Sequence, residues 1–446
     1  MQLRGNVDAD ITNSNPDFLN GHIYMSNVQI LQDKEPIVLD SIKVVAFADA
    51  EKNNIQINSQ FLKAEMDGKY KLTTLSSSLK KSLSKYIDLQ SPTDKANNDK
   101  QQVTLNVTVK NDPVLFQLVP KLTGLEPINL TANYNNVTDS LQIKGSIPRI
   151  VYAGNTISGA TINVENKENA LGYNISVATV ENGDFKLPKT VLSGKVENNI
   201  VDYALQINDL SDKEKYYLAG QIEHKTDQNT FKIDAEKVIL NYENWTVNPQ
   251  NSIEFGNAGL YINQFELSNA GNQLKIQSQQ DQKNAPIDIE FVDFKIETIL
   301  SIVKKEDLLM NGLINGKATI SNLETKPSFI SDIKVDDFVF NGEEVGDISI
   351  KVDNQTADLL NAEVLLSGGE NKLDIAGTYR ISNGGLDLNA DINHLNIKSI
   401  QGFTMNNVTE GTGFLTGNFK VAGTVDAPNV NGELKFNGAG FRITKL

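Results

Sequence analysis

GTGFLTGNFKVAGTVDAPNVNGELKF, residues 411–436, lies over MNGLINGKATISNLETKPSFISDIKV, residues 310–335, at one ungapped offset of 101 (413 − 312). Gly312 matches Gly413, Gly316 matches Gly417, Ile320 matches Val421 and Pro327 matches Pro428. Ile333 then answers Leu434, and Val335 answers Phe436. Two glycines four apart, an aliphatic residue, a proline and then alternating apolar positions are more than composition produces, so the pair is read as an internal repeat. The glycines read as a bulge or tight bend in a strand, and the prolines as residues of the turn before the next strand.

Weaker echoes extend outward from this pair. FKIETILSI (294–302) and LNIKSIQGF (395–403) are again 101 apart (395 − 294). YAGNTISGATINVEN (152–166) resembles FNGEEVGDISIKVDN (340–354), with Gly154 answering Gly342, Ile162 answering Ile350 and Asn166 answering Asn354. MDGKYKL (66–72) resembles IAGTYRI (375–381) through Gly68 and Gly377, and through Tyr70 and Tyr379. One architecture is therefore expected over most of the chain.

That architecture is β. Apolar residues alternate with polar ones in TLNVTV, LGYNISV, VDYALQI, DISIKV and GGLDLNADI, the pattern of strands with one apolar face. Short turns rich in Asn, Gly and Asp separate them, so neighbouring strands are expected to be antiparallel. Helix is scarce. LSSSLKKSLSKYI places Leu75, Leu79, Leu83, Tyr86 and Ile87 on one helical face and is expected to cap one end of a core. DPVLFQLVPKL, with Pro113 in the first turn and Pro120 ending it, and IETILSIVKK are two further short helices. The expected organisation is a β segment over 1–72, a helix and polar linker over 73–102, a second β segment over 103–309, and repeats over 310–446 continuous with it. At about 12 residues per strand and turn, the chain would hold roughly 37 strands, and a single open sheet of that size has to curl. The expected fold is all-β: an elongated, mostly antiparallel repetitive sheet bent into a U-shaped trough with its apolar face inside.

Composition limits what such a sheet does. The net charge of −15 lacks the basic footprint of a nucleic-acid binder or a polybasic membrane anchor. With no cysteine, the chain has no disulfide, zinc finger or thiol nucleophile. It holds no apolar run long enough to span a bilayer. Both ends break off inside alternating runs, so the chain is expected to be a piece of something longer. His22, His224 and His394 lack metal-ligand spacing and read as surface or turn residues. GLINGKAT falls one residue short of a phosphate loop and has Ala318 where a Ser or Thr is required. DNQTADLLNAE lacks the glycine and glutamate of an EF-hand, and no G-x-S-x-G elbow occurs. No enzyme, metal or cofactor is expected.

The repeat GTGFLTGNFKVAGTVDAPNVNGELKF, the run VNGELKFNGAGFRITKL and the stretch NKLDIAGTYRISNGGLDLNADI together resemble the TamB-like branch of the AsmA-like superfamily of bridge-like lipid transfer proteins. The resemblance is strong over about 310–446, fair over 1–72 and loose between. It implies a folded-over β-taco with a hydrophobic groove for phospholipid acyl chains. It also implies a periplasmic location in a Gram-negative cell, and outer-membrane biogenesis as the process served. An N-terminal inner-membrane anchor and a BamA-family (TamA-like) outer-membrane barrel would be reached through segments beyond this sequence. On this reading Ile348, Ile350, Val352, Leu386, Leu388, Phe419, Val421, Leu434 and Phe436 are the candidate groove residues. Two alternatives stay open: a scaffold for outer-membrane protein assembly or translocation, and a secreted structural or adhesive β-repeat protein.

Overall fold

The computed structural model describes residues 2–32, 35–89, 99–183, 185–303, 310–324, 327–356, 358–404 and 407–444. Strands account for 72% of the chain and helices for 8%, which makes the fold all-β as expected. Among the described residues twenty-nine strands are formed rather than about 37, because most are longer than anticipated and two run to 17 residues. Of the polar linker expected after the first helix, residues 90–98 lie outside the described residues, and Gln102 already begins the next strand. The chain divides into two compact units, Met1–Thr226 and Asp227–Leu446.

The first unit opens with β1 (Gln2–Asn13), β2 (Asn20–Gln32), β3 (Glu35–Ala48), β4 (Asn53–Ser59) and β5 (Leu62–Lys69). Next come α1 (Leu72–Leu83), β6 (Gln102–Val109), α2 (Pro113–Leu118), β7 (Leu122–Leu125) and β8 (Ile128–Asn135). β9 (Ser140–Tyr152), β10 (Asn155–Lys167), β11 (Ala170–Asn182), β12 (Phe185–Glu197), β13 (Ile200–Asn208) and β14 (Glu214–Lys225) complete it. Each strand pairs antiparallel with the next, with one exception. β6 pairs directly with β8, while β7 lies beyond β8 along the same neighbour, β9. Pro127, with no N–H to give, separates these two pieces of what is otherwise one strand line.

The second unit begins with β15 (Gln228–Leu240), β16 (Glu243–Val247), β17 (Ser252–Gly256), β18 (Gly259–Asn263), β19 (Phe265–Asn269) and β20 (Asn272–Ser278). β21 (Ile287–Lys295), α3 (Ile296–Val303), β22 (Met310–Ser321), β23 (Ser328–Phe340) and β24 (Glu343–Thr356) follow. β25 (Leu359–Gly368), β26 (Asn371–Arg380), β27 (Gly385–Asn396), α4 (Ile397–Gln401), β28 (Val408–Thr424) and β29 (Ala427–Ile443) end it. From β19 onward every strand pairs antiparallel with its successor. Many turns are two-residue loops with both residues at positive φ, as at Asn198–Asn199 and Asn341–Gly342. Such loops match the right-handed twist of the strands they join.

The repeat is reproduced at the level of register. Pairing of β21 with β22 slips by one residue between Phe291 and Phe294, and pairing of β27 with β28 slips between Ile392 and Leu395. α3 starts at Ile296 and α4 at Ile397. Pairing of β22 with β23 slips between Asn311 and Leu313, and that of β28 with β29 between Thr412 and Phe414. Every one of these positions is 101 residues from its counterpart. The bulges thus fall on the strands facing Gly316 and Gly417 and not on those glycines themselves. The glycines serve a close approach: a Cβ at Gly316 (φ 121°) would stand 2.1 Å from the Asp332 carbonyl oxygen, and one at Gly417 (φ 152°) 2.0 Å from that of Glu433. Pro327 directly precedes its strand, whereas Pro428 is already paired, opposite Gly423.

Asparagine amides finish the ladders where backbone partners run out. Asn166 accepts from the Leu141 N–H, 25 residues earlier, and donates to the Asp139 carbonyl, 27 earlier. Asn354 accepts from Phe329 and donates to Pro327 at the same two separations, 25 and 27 residues, which accounts for the echo between 152–166 and 340–354. Asn251, 1% exposed, bonds both the N–H and the C=O of Ile233 at 2.8 Å, filling the gap between β16 and β17. One planar group supplies donor and acceptor together, as a peptide does. Removing it strands two part-buried backbone groups. Asn354→Ala is therefore expected to lower stability by about 1–3 kcal/mol in denaturant unfolding, against about 0.5 kcal/mol or less for exposed Asn393→Ala.

Candidate functional site

In an antiparallel ladder, residues paired directly opposite each other point to the same face. Following the pairs from strand to strand therefore draws a row across the sheet. In the first unit one such row passes from Ile23 and Ile57 through Val107 and Leu130 to Ile162, Ile175, Leu192, Leu205 and Leu218. All of these residues are half-buried. Each is shielded by its neighbours on the same face but keeps part of its surface in contact with solvent.

The second unit repeats the arrangement. One row joins Leu274, Phe291, Gly316, Ile333, Ile350, Val364, Ile375, Ala390 and Phe419. A parallel row carries Ile348, Leu366, Leu373 and Ile392 to Leu434, and a third carries Val352 through Leu388 to Val421. Leu386 pairs with Tyr379, and Phe436 with Leu415, on the same side. The register thus places all nine candidates from the sequence on one face. Seven are half-buried, and Ile348 and Phe419 among them also pack against a closed core. Leu434 (44% exposed) and Phe436 (59% exposed) lie on β29, which among the described residues pairs with β28 alone.

Closed core sits beside the helices and, in the second unit, also among strands β15 to β21, where Val238, Trp245, Val247, Ile262 and Ile287 are buried. Tyr70, Val103, Tyr134 and Leu141 are buried with Leu75, Leu79 and Leu83 of α1 packed against them, so this helix caps core as its spacing predicted. Val28, Ile30 and Leu39 are closed by Val114 and Leu118 of α2. Val335, Phe338, Ile392, Leu395 and Leu415 are closed by Ile397 of α4, with Ile296 of α3 alongside. The rows described above run on past these plugs mostly half-buried, and in the second unit they close over at Leu366, Ala390 and Ile392.

The opposite face is polar. Lys351 meets Asp332 at 3.4 Å, Lys317 meets Glu290 at 3.0 Å and Lys420 meets Asp387 at 2.8 Å, all across neighbouring strands. Being exposed, such pairs add little stability. They do keep this side wetted. Hydrogen bonds from Lys52 and Lys334 hold the carboxyls of Asp67 and Asp336 below the usual carboxylate range, so both stay ionised into mildly acidic solution.

The histidines stand apart from one another in the sheets. His394 departs from the surface position expected of it: its ring stacks on Phe414, with centroids 4.0 Å apart, because it lies within the bulge of β27. Among the described residues no group of three His, Cys, Asp or Glu side chains is placed to hold a metal, and no helix is long and apolar enough to cross a membrane. GLINGKAT is an interior stretch of β22 and forms no loop.

The rows of the first unit were absent from the candidate residues, although their signal was present. TLNVTV, LGYNISV and VDYALQI carry the alternation that places Val107, Ile175 and Leu205 in one row. Which strand neighbours which is what alternation leaves out. Comparison with family models, with curated proteins and with solved structures finds no match to this chain.

Proposed function

We propose that this chain is a bridge-like lipid carrier, conducting phospholipid between the inner and outer membranes of a Gram-negative cell along the apolar faces of its ladders. The observation that carries this reading is the row of mostly half-buried apolar residues that crosses the ladders of each unit, set between stretches of closed core at the helices and among strands β15 to β21. A contiguous apolar surface left partly open to water has a free-energy cost that a bound apolar ligand removes. An acyl chain brings the complementary deficit, about 0.8 kcal/mol for each methylene exposed to water. Laid along such a row, a chain of about 16 carbons stays covered at every step while its headgroup remains in water. Neighbouring sites are chemically alike, so no step traps the lipid. The polar, paired outer face keeps the protein dissolved in an aqueous compartment, which on this proposal is the periplasm. A BamA-family barrel at the outer membrane is the proposed receiving partner. The test is whether phospholipid accompanies the folded chain through purification without detergent; a folded, monomeric chain that carries none would oppose the proposal.

A further inference from the structure

The net charge of −15 describes the chain as a whole and hides a local reversal. Residues 71–87, which contain α1, hold four lysines and no acidic residue. Leu75, Leu79 and Leu83 of this helix are turned to core, while Lys80, Lys81 and Lys85 are exposed. A cavity of about 210 Å³ opens beside them. Its charged lining residues are Lys81, Lys85 and Lys100, with no carboxylate among the described ones. Two other surface cavities, one beside Lys317 and Asp332 and one beside Lys195 and Glu197, are lined by both signs. Ser78 and Ser82 also line the basic cavity, and the Ser82 hydroxyl is tied to that of Tyr134 at 2.9 Å. Lys100 is held in place through its neighbours. The Asn136 amide donates to the Asp99 carbonyl at 2.7 Å and accepts from the Gln101 N–H at 2.8 Å. Lys100 makes no ion pair among the described residues, whereas Lys85 meets Asp139 at 2.7 Å in an exposed pair that a second anion can share. The remaining lining residue, Val137 in the turn from β8 to β9, is 63% exposed.

We infer that this rim of the first unit docks on an anionic lipid surface, with the phosphate of one lipid seated in the lysine-lined cavity. Charge complementarity selects the occupant. Three ammonium groups and two hydroxyls converge on a space that suits a phosphodiester, and the lysines of α1 continue the positive surface around it. A soluble anion would satisfy the cavity alone. A bilayer also meets Lys80, outside the cavity, and covers the exposed Val137 side chain at the level where headgroup gives way to acyl chain. An acidic chain is repelled by an anionic membrane in most orientations, so a single basic rim also fixes which way the first unit faces when it arrives. None of these residues belongs to the apolar rows, and the docking does not depend on the rows carrying lipid.

The test is co-flotation of the whole chain with vesicles of phosphatidylcholine alone or mixed with phosphatidylglycerol. The mixed vesicles should bind it about tenfold or more tightly, and the preference should fade as salt is raised. Lys81→Gln with Lys100→Gln should weaken binding to the mixed vesicles roughly twentyfold, about fivefold for each lysine lost. Val137→Asp should weaken it about tenfold. The matched control, Lys317→Gln with Lys351→Gln on the polar face of the second unit, removes the same charge and should bind as the wild type does. The Ile350→Asp, Leu388→Asp variant should also keep the preference, so that the docking and the apolar rows stand or fall separately. Equal binding to both kinds of vesicle would overturn the proposal, as would equal loss in the two lysine variants, which would mean that net charge alone is read. Calorimetry with inorganic phosphate decides the remaining case: saturable binding of phosphate by a chain that ignores the mixed vesicles would make the cavity a site for a soluble anion and overturn the docking.

Discussion

Placing aspartate at both Ile350 and Leu388 is expected to reduce phospholipid transfer between vesicles by about tenfold or more while leaving strand content unchanged. Ile350 and Leu388 belong to adjacent rows of the apolar face, on β24 and β27. Both are half-buried, so a carboxylate there keeps water on one side and the cost to folding stays modest, about 1–2 kcal/mol each. The cost to a passing acyl chain is larger. Two or three methylenes forced away from the surface lose about 2 kcal/mol at that point, and a barrier of about 1.4 kcal/mol already means a factor of ten. The matched control uses the same strands and the other face. Ser349→Asp with Asn389→Asp adds the same charge to the polar side and should leave transfer within about twofold of the wild type. Equal loss in both variants would mean that net charge is being read. Unchanged transfer by the folded apolar-face variant would remove the groove.

The two glycines of the repeat should differ in what they tolerate, although their local geometry is shared. Alanine at Gly316 puts a Cβ 2.1 Å from the Asp332 oxygen and 3.0 Å from the Ile333 Cα, at a φ of 121° that alanine rarely adopts. β23 has no freedom to withdraw, because β24 holds its other side. The strained backbone and the contact together should cost roughly 3 kcal/mol or more, lowering the melting temperature of the second unit by about 10 °C. Alanine at Gly417 meets the Glu433 oxygen at 2.0 Å, but the strand it pushes, β29, pairs with β28 alone among the described residues and has more room to move. The expected result there is faster hydrogen exchange over 427–443 with a melting temperature shifted by only a few degrees. If Gly417→Ala lowers the melting temperature as far as Gly316→Ala does, β29 is held on both sides in solution.

Most of this fold was written in period-2 alternation and in turn residues, because side chains on a strand have only two directions to choose between. The 101-residue offset went further than expected: it carried the bulge positions, the register slips and the helix starts as well as the glycines. Strand length was misjudged because alternation continues across polar positions such as Asn418 and Lys420, and nothing local marks where a ladder stops. The tie from Asn354 back to Phe329 was visible only as a repeated asparagine, since an amide that mimics a peptide spans 25 residues of chain and leaves no local signature. The candidate surface was half legible. Ile348, Ile350 and Leu388 could be assigned to one face from their own strands, but their neighbours across the sheet depend on register. The exposure of Phe436 on β29, which among the described residues pairs with β28 alone, follows from strand pairing and is not written in its own alternation.

The central claim is that the apolar faces hold lipid, and it is tested most directly by the lipid content of the protein itself. The chain, purified without detergent and resolved by gel filtration, would be extracted with organic solvent and its phospholipid quantified by mass spectrometry. Several phospholipids per chain, with mixed acyl lengths, and far fewer on the Ile350→Asp, Leu388→Asp variant, are the predicted result. A folded chain that carries no phospholipid, or a variant that carries as much as the wild type, would contradict it.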